Sequence, residues 1–146
     1  MTNIRIEPFL TQDKTGLWQL LQNADLPVDD ITAAMLNDFL VAHMDAALAG
    51  TVGIERYGET ALLRSLAVCE TCRGIGLGKQ LVAAMEARAR KLSIGRLYLL
   101  TTTADRFFAA QGYQPVERDA APEVIRTTAQ FSRLCPDSSS FMVKAL

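Results

Sequence analysis

The stretch "CRGIGLGKQLVAAMEARARK", Cys72 to Lys91, constrains this chain most. Gly74, Gly76 and Gly78 run straight into a helical pattern. Leu81, Val82, Met85, Ala89 and Leu92 share one face, as helical spacing requires. Glu86 and Arg90 stand one turn apart in the favourable order. Arg88, Arg90 and Lys91 crowd the C-terminal end, where positive charge suits the helix dipole. The start is unusual. A helix leaves about four N–H groups unpaired at its N-terminus, and no Ser, Thr, Asp or Asn stands among the glycines to cap them. Glycine lets the backbone take positive φ and approach a ligand closely. Such a start, fed by a strand, favours an anion, most simply phosphate, with Arg73 adding a charge-assisted contact.

The surroundings place this helix in a mixed fold. The 146 residues suffice for one domain, 1–146, with one core. "NIRIEPF" alternates and predicts a first strand. "DKTGLWQLLQNA" carries Leu17, Leu20, Leu21 and Ala24 at helical spacing. Pro27 breaks the chain, and "DDITAAMLNDF" predicts a short helix capped by Asp29 or Asp30. "FLVAHMDAALAGTVGIERYG" predicts a hairpin turning near Met44–Ala47. "TALLRSLAV" predicts the strand that feeds the glycines. "GRLYLLTTT" is apolar enough for a strand buried on both faces. "ADRFFAAQ" predicts a helix stopped by Gly112, with Thr103 as its cap. "YQPVE" and "SSFMVKAL" predict closing strands around a partly helical "APEVIRTTAQFSRLCP" that Pro136 ends. Hairpins followed by strand–helix–strand predict a mixed sheet covered by helices.

Charge and composition narrow the partners. Net charge is −1, with no basic block to hold a nucleic acid. No signal peptide is visible, and no apolar run reaches membrane-spanning length, so the expectation is a cytoplasmic protein without membrane or nucleic-acid partners. Three cysteines in such a chain predict free thiols rather than disulfides. Cys69 and Cys72 have C-x-x-C spacing, but no second pair follows and the sole histidine, His43, is far away, so no metal site is expected. A thiol trio with Cys135 would require all three to converge.

Three phosphate-binding patterns compete for the glycine segment. The P-loop needs glycine where Arg73 stands and Ser or Thr where Gln80 stands. The dinucleotide fingerprint needs a further glycine at Lys79 or at Leu81, depending on register. The pattern Arg/Gln-x-x-Gly-x-Gly/Ala is met in full by Arg73, Gly76 and Gly78. That pattern, inside "LLRSLAVCETCRGIGLGKQLVAAMEARARK", resembles the coenzyme A loop of the GNAT superfamily of N-acetyltransferases. "LYLLTTTADRFFAAQGYQPV" resembles the strand and helix that follow it there. More narrowly, "LLRSLAV", "LYLLTTTA" and "IRTT.QF..LCP.S" resemble small acetyltransferases associated with bacterial arsenic-resistance operons.

The resemblance implies an α+β fold: a mixed, mostly antiparallel sheet of six or seven strands with a splayed central parallel pair, flanked by helices. It implies acetyl-CoA as co-substrate and a small-molecule amine as acceptor, in a monomer or homodimer. Leu66, Ala67 and Val68 would line the pantetheine like an added strand. Arg73, Gly74, Ile75, Gly76, Leu77, Gly78 and Lys79 would hold the pyrophosphate. Thr103, Phe107 and Phe108 would border the cofactor. A backbone N–H near Val68 would polarise the acetyl carbonyl. The tyrosine that often protonates the leaving thiolate in this family is replaced by Phe108.

Other residues bear on the acceptor. Glu55 shares a strand face with Thr51, Gly53 and Tyr57, and reads either as the base that takes the amine's proton or as a solvated carboxylate. Tyr57 or water stands in for the missing acid, or the thiolate leaves unaided. Arg64 lies mid-strand among Leu62, Leu66 and Val68, where a charge needs a partner. It and Arg126 read as clamps for an acceptor carboxylate, such as that of an amino acid or a glutamate-like arsenical or phosphinic analogue, or as partners of acids. A sensor that holds acetyl-CoA without turnover, and a thiol-based arsenical-binding protein, are the alternative functions. Tyr113, Tyr98, Trp18, Phe107 and Phe131 read as core, and His43 as a satisfied or surface histidine.

Overall fold

The structure is a computed structural model that describes residues 3–134 and 139–146. Seven strands form one sheet in the order β1-β2-β3-β4-β5-β7-β6. They are β1 (Ile4–Pro8), β2 (Phe39–Met44), β3 (Ala47–Tyr57), β4 (Thr60–Val68), β5 (Arg96–Thr101), β6 (Gln114–Pro115) and β7 (Ser140–Ala145). Every pairing is antiparallel except β4 with β5. The α-helices among the described residues are α1 (Lys14–Asn23), α2 (Ala33–Leu36), α3 (Leu77–Lys91), α4 (Asp105–Ala110) and α5 (Glu123–Arg126). No helix among the described residues is long and apolar enough to cross a membrane.

Strand alternation sorts the core onto two faces. On one, Val52, Ile54, Leu63, Leu97 and Leu99 meet Leu77, Leu81, Val82, Met85 and Ala89 of α3. The other carries two smaller clusters. Leu17 and Leu21 of α1 pack with Leu36, Phe39 and Ala67. Leu62, Tyr98 and Phe141 pack with Ala121 and with Ile125 of α5. Gly53 lies opposite Phe39 in the β2–β3 ladder, and a Cβ there would meet the Phe39 ring at 2.3 Å. Only glycine admits that ring.

Two features of β4 shape the centre of the sheet. Its register against β3 runs Thr51↔Ala67 and then Gly53↔Arg64, so β4 carries one extra residue there. Ser65 takes φ +58°, a left-handed value uncommon for serine. This bulge resets the alternation. Leu66 and Val68 return to the α3 face while Arg64 stays on the other. The expectation that Arg64 sits among Leu66 and Val68 is corrected by that single inserted residue. Second, the parallel pairing with β5 spans only Thr60↔Arg96, Ala61↔Leu97 and Leu62↔Tyr98. Beyond it β4 continues to Val68 on β3, and β5 continues to Thr101 on β7. The two central strands therefore part.

Several local expectations are revised. The cap of α2 is Thr32, whose hydroxyl accepts the Met35 N–H at 3.1 Å, rather than Asp29 or Asp30. Thr103 does not cap α4: it is exposed, and Thr101 Oγ1 accepts the Ala104 N–H at 3.0 Å. Glu86 turns inward instead of pairing with Arg90. It takes a hydrogen bond from the Tyr113 hydroxyl at 3.0 Å and an ion pair from Lys144 at 2.9 Å. Gly112 follows α4 at φ +96°, as expected of a helix stop. Cys135 and Pro136 lie outside the described residues.

Candidate active site

Past Val68 the chain makes one tight turn, Glu70–Cys72, and enters the glycine segment. Cys69 and Cys72 are joined by a disulfide, with their Cα atoms 5.3 Å apart. This corrects the expectation of free thiols: the turn folds the C-x-x-C spacing back on itself. Gly74 and Gly76 take φ +87° and +80°, and a Cβ on either would meet nothing within 4 Å. Both stand at an open surface. Gly76 precedes α3 with no side-chain cap, and the first carbonyl bond onto the helix runs from Gln80 N–H to Gly76 at 3.1 Å. The N–H groups of the first turn thus face outward from a left-handed glycine bend, an arrangement suited to an anion.

The rest of the loop is anchored. Leu77 is buried in the main core, while Ile75, Arg73 and Lys79 are exposed around the bend. A Cβ at Gly78 would stand 3.5 Å from the Phe107 ring and 3.9 Å from Val68. The helix start, the end of β4 and α4 therefore converge at one glycine. Phe108 does not face this junction as an open wall. It is buried, edge-on to Tyr113 and to Phe107, with ring centroids 5.6 and 5.1 Å apart.

On the opposite sheet face, between the two smaller clusters, lies a buried polar group. Arg64 Nη1 bonds both Asp30 Oδ2 and Glu55 Oε1 at 2.5 Å. Tyr57 donates to Glu55 Oε2 at 2.6 Å. Burial works against the Arg64 charge, but the Asp30 and Glu55 carboxylates outweigh it and raise its pKa. Burial, then the hydrogen bond to Glu55 and its charge, pushes the Tyr57 phenol above its ordinary value. A phenol so shifted is a weaker acid, which counts against Tyr57 as the proton donor to a thiolate. The structure brings Glu55, Tyr57 and Arg64 together. Arg126 is exposed at the end of α5, and no hydrogen bond or ion pair joins it to this group. Asp30 was missed because its partner lies 34 residues away. His43 lies elsewhere: its Nε2 is 3.0 Å from Asp13 and its Nδ1 is 3.3 Å from Glu7 without a hydrogen bond. No cluster of metal-ligating side chains occurs among the described residues.

Residues 36–115 match the acetyltransferase (GNAT) domain family. The chain belongs to this family. Among its GNAT relatives, an amino-acid acetyltransferase of Neisseria meningitidis is 29% identical over 93 residues, 62% of this chain and 21% of the relative. An uncharacterised N-acetyltransferase of Chlorobaculum tepidum is 33% identical over 91 residues, covering 62% of this chain and 58% of its own. The chain thus spans about a fifth of the amino-acid acetyltransferase it matches. In fold it resembles N-acetylglutamate synthase from Neisseria gonorrhoeae, complexed with coenzyme A and N-acetyl-glutamate, at TM-score 0.87 and 21% identity over 100% of this chain and 36% of that one. It also resembles PaiA N-acetyltransferase from Thermoplasma acidophilum in complex with coenzyme A, at TM-score 0.72 and 15% identity, over 99% of each chain. The mixed, mostly antiparallel sheet with one parallel pair is the GNAT architecture.

Proposed function

We propose that this domain transfers the acetyl group of acetyl-CoA to the primary amine of a small molecule, by direct attack and without a covalent enzyme intermediate. One observation carries this reading: an uncapped helix start behind two left-handed glycines, at the mouth of a parted strand pair. Arg73, Gly74, Ile75, Gly76, Leu77, Gly78 and Lys79 would hold the pyrophosphate through main-chain N–H groups and the Arg73 charge. Leu66, Ala67 and Val68 would pair along the pantetheine, and Phe107 would close the junction at Gly78. Thr103, exposed just before α4, and Phe108, packed on Phe107, would border the cofactor beside it. Acetyl-CoA supplies the activated acetyl group when bound.

The chain's own residues then manage one proton and one charge. An amine attacks only when neutral, so its ammonium proton must leave first. Glu55, reached directly or through water, takes that proton. A main-chain N–H near Val68 polarises the acetyl carbonyl. The thiolate leaves unaided, its thiol pKa being about 8.5, and takes up the second proton that the attacking nitrogen must lose, so no tyrosine is needed. The acceptor class drawn from the relatives is an amino acid.

A second reading, a sensor that holds acetyl-CoA without turnover, is favoured by Phe108 at the usual tyrosine position. The thiol-based arsenical reading loses ground, since Cys69 and Cys72 are bonded to each other. Incubation of the full chain with acetyl-CoA and an amine panel, followed by release of coenzyme A thiol, separates the first two. Turnover with an amine supports the enzyme. Binding of coenzyme A with no turnover on any amine supports the sensor, and no binding defeats both.

A further inference from the structure

A guanidinium has five N–H donors, and in Arg64 each meets an acceptor inside the protein. Nε donates to the Ser65 hydroxyl at 3.1 Å. Nη1 donates to Asp30 and to Glu55. Nη2 donates to the other Asp30 oxygen at 2.8 Å and to the Pro27 carbonyl at 3.4 Å. The side chain has no exposed surface. Its acceptors come from three places: the connection between α1 and α2, the face of β3, and the bulge of β4. A fork filled in this way keeps no donor for an acceptor's carboxylate. Moreover, two carboxylates against one guanidinium leave one negative charge beside Tyr57. A buried surplus of charge is costly until a counter-ion joins it. An amine in its ammonium form is such a counter-ion.

We propose that Arg64 and Asp30 are positioning residues for the amine acceptor. Arg64 holds Glu55 and the α1–α2 connection as one wall, and the acceptor's ammonium docks against the surplus negative charge of that wall. This rests on the acetyl-transfer reading above. It opposes the role of Arg64 as a carboxylate clamp, and the two roles differ in sign. A clamp must expel Asp30 to bind a carboxylate, so neutralising Asp30 would tighten a carboxylate-bearing acceptor. A positioning Arg64 would lose half its anchor, and the same change would weaken every amine.

The test is steady-state kinetics of the full chain at saturating acetyl-CoA with L-glutamate, L-lysine, glycinamide and spermidine, in the parent, Asp30→Asn and Arg64→Lys. The affinity for coenzyme A is measured in parallel by calorimetry. Asp30→Asn is expected to raise KM for the best acceptor about tenfold or more, with a smaller fall in kcat. Coenzyme A affinity should stay within about twofold, which a general structural defect would not spare. Arg64→Lys keeps the charge but not the fork, and should show the same pattern. An unchanged KM in Asp30→Asn, or a lowered KM for L-glutamate, overturns the proposal. Absence of turnover in the parent overturns the transfer reading instead, and this inference with it.

Discussion

Phe107 sets its ring 3.5 Å from the point where a side chain on Gly78 would begin. The contact is ordinary for one methyl group, but anything longer must enter the junction of β4, α3 and α4. Gly78→Leu is therefore expected to raise the coenzyme A dissociation constant at least about tenfold. Gly76→Val should act by another route, since open space surrounds it and only its φ of +80° resists a side chain. A left-handed valine costs about 1–2 kcal/mol, so Tm should fall and binding weaken together. Calorimetry with coenzyme A on both variants checks this. Unchanged affinity in both would remove the glycine segment from the cofactor site.

Alkaline stability follows from two phenols. Tyr113 is raised by burial and then by the charge of Glu86, and Tyr57 by burial and then by Glu55. The folded state thus keeps these protons where the unfolded chain, with phenol pKa about 10, has lost them. Their stabilisation is fully present below about pH 10 and is lost as pH rises through the higher folded values. Tm should be flat from about pH 8 to 9.5 and fall beyond about pH 10, and Tyr113→Phe should fall less steeply. A parent Tm that holds through pH 11 (on the order of one unit past the free phenol) would contradict the assignment.

Gly53 is demanded by packing. A Cβ at 2.3 Å from the Phe39 ring forces the ring or the β2–β3 ladder to shift. Gly53→Ala should cost about 1–3 kcal/mol by overpacking, read as a lower denaturation midpoint at unchanged slope. Adding Phe39→Leu should recover part of it, and purely additive losses would argue against the clash.

The Cys69–Cys72 bond has a chemical readout. In denaturant without reductant, these two thiols should not react with a disulfide reagent, and prior reduction should add two to the count. An identical count before and after reduction would refute the bond.

How much was legible in the sequence follows the distance over which each signal acts. The glycine bend, the α3 stripe and the hairpin turn at Met44–Ala47 are local, encoded by residues within one or two turns, and each was readable. The bulge at Ser65 was not, because serine carries no strong preference for φ +58° and the cause lies in the ladder with β3. Asp30 stands where a helix cap is expected, and only the folded chain brings it to Arg64. Glu86 has a favourable neighbour in Arg90, yet the approach of Lys144, 58 residues away, offers it a buried partner. Composition points to free thiols for the cysteines, whereas the three-residue separation of Cys69 and Cys72 across a tight turn brings them into bonding reach.

A sheet that unzips midway owns a rim in its interior. Beyond Leu62 the amides and carbonyls on the β5-facing side of β4 belong to the backbone, so their recognition chemistry survives almost any exchange of side chain. On the proposed function, mutation would rewrite the acceptor wall of Asp30, Glu55 and Tyr57 while leaving the grip on a peptide-like ligand intact. The architecture thereby separates what is inherited from what is free to diversify.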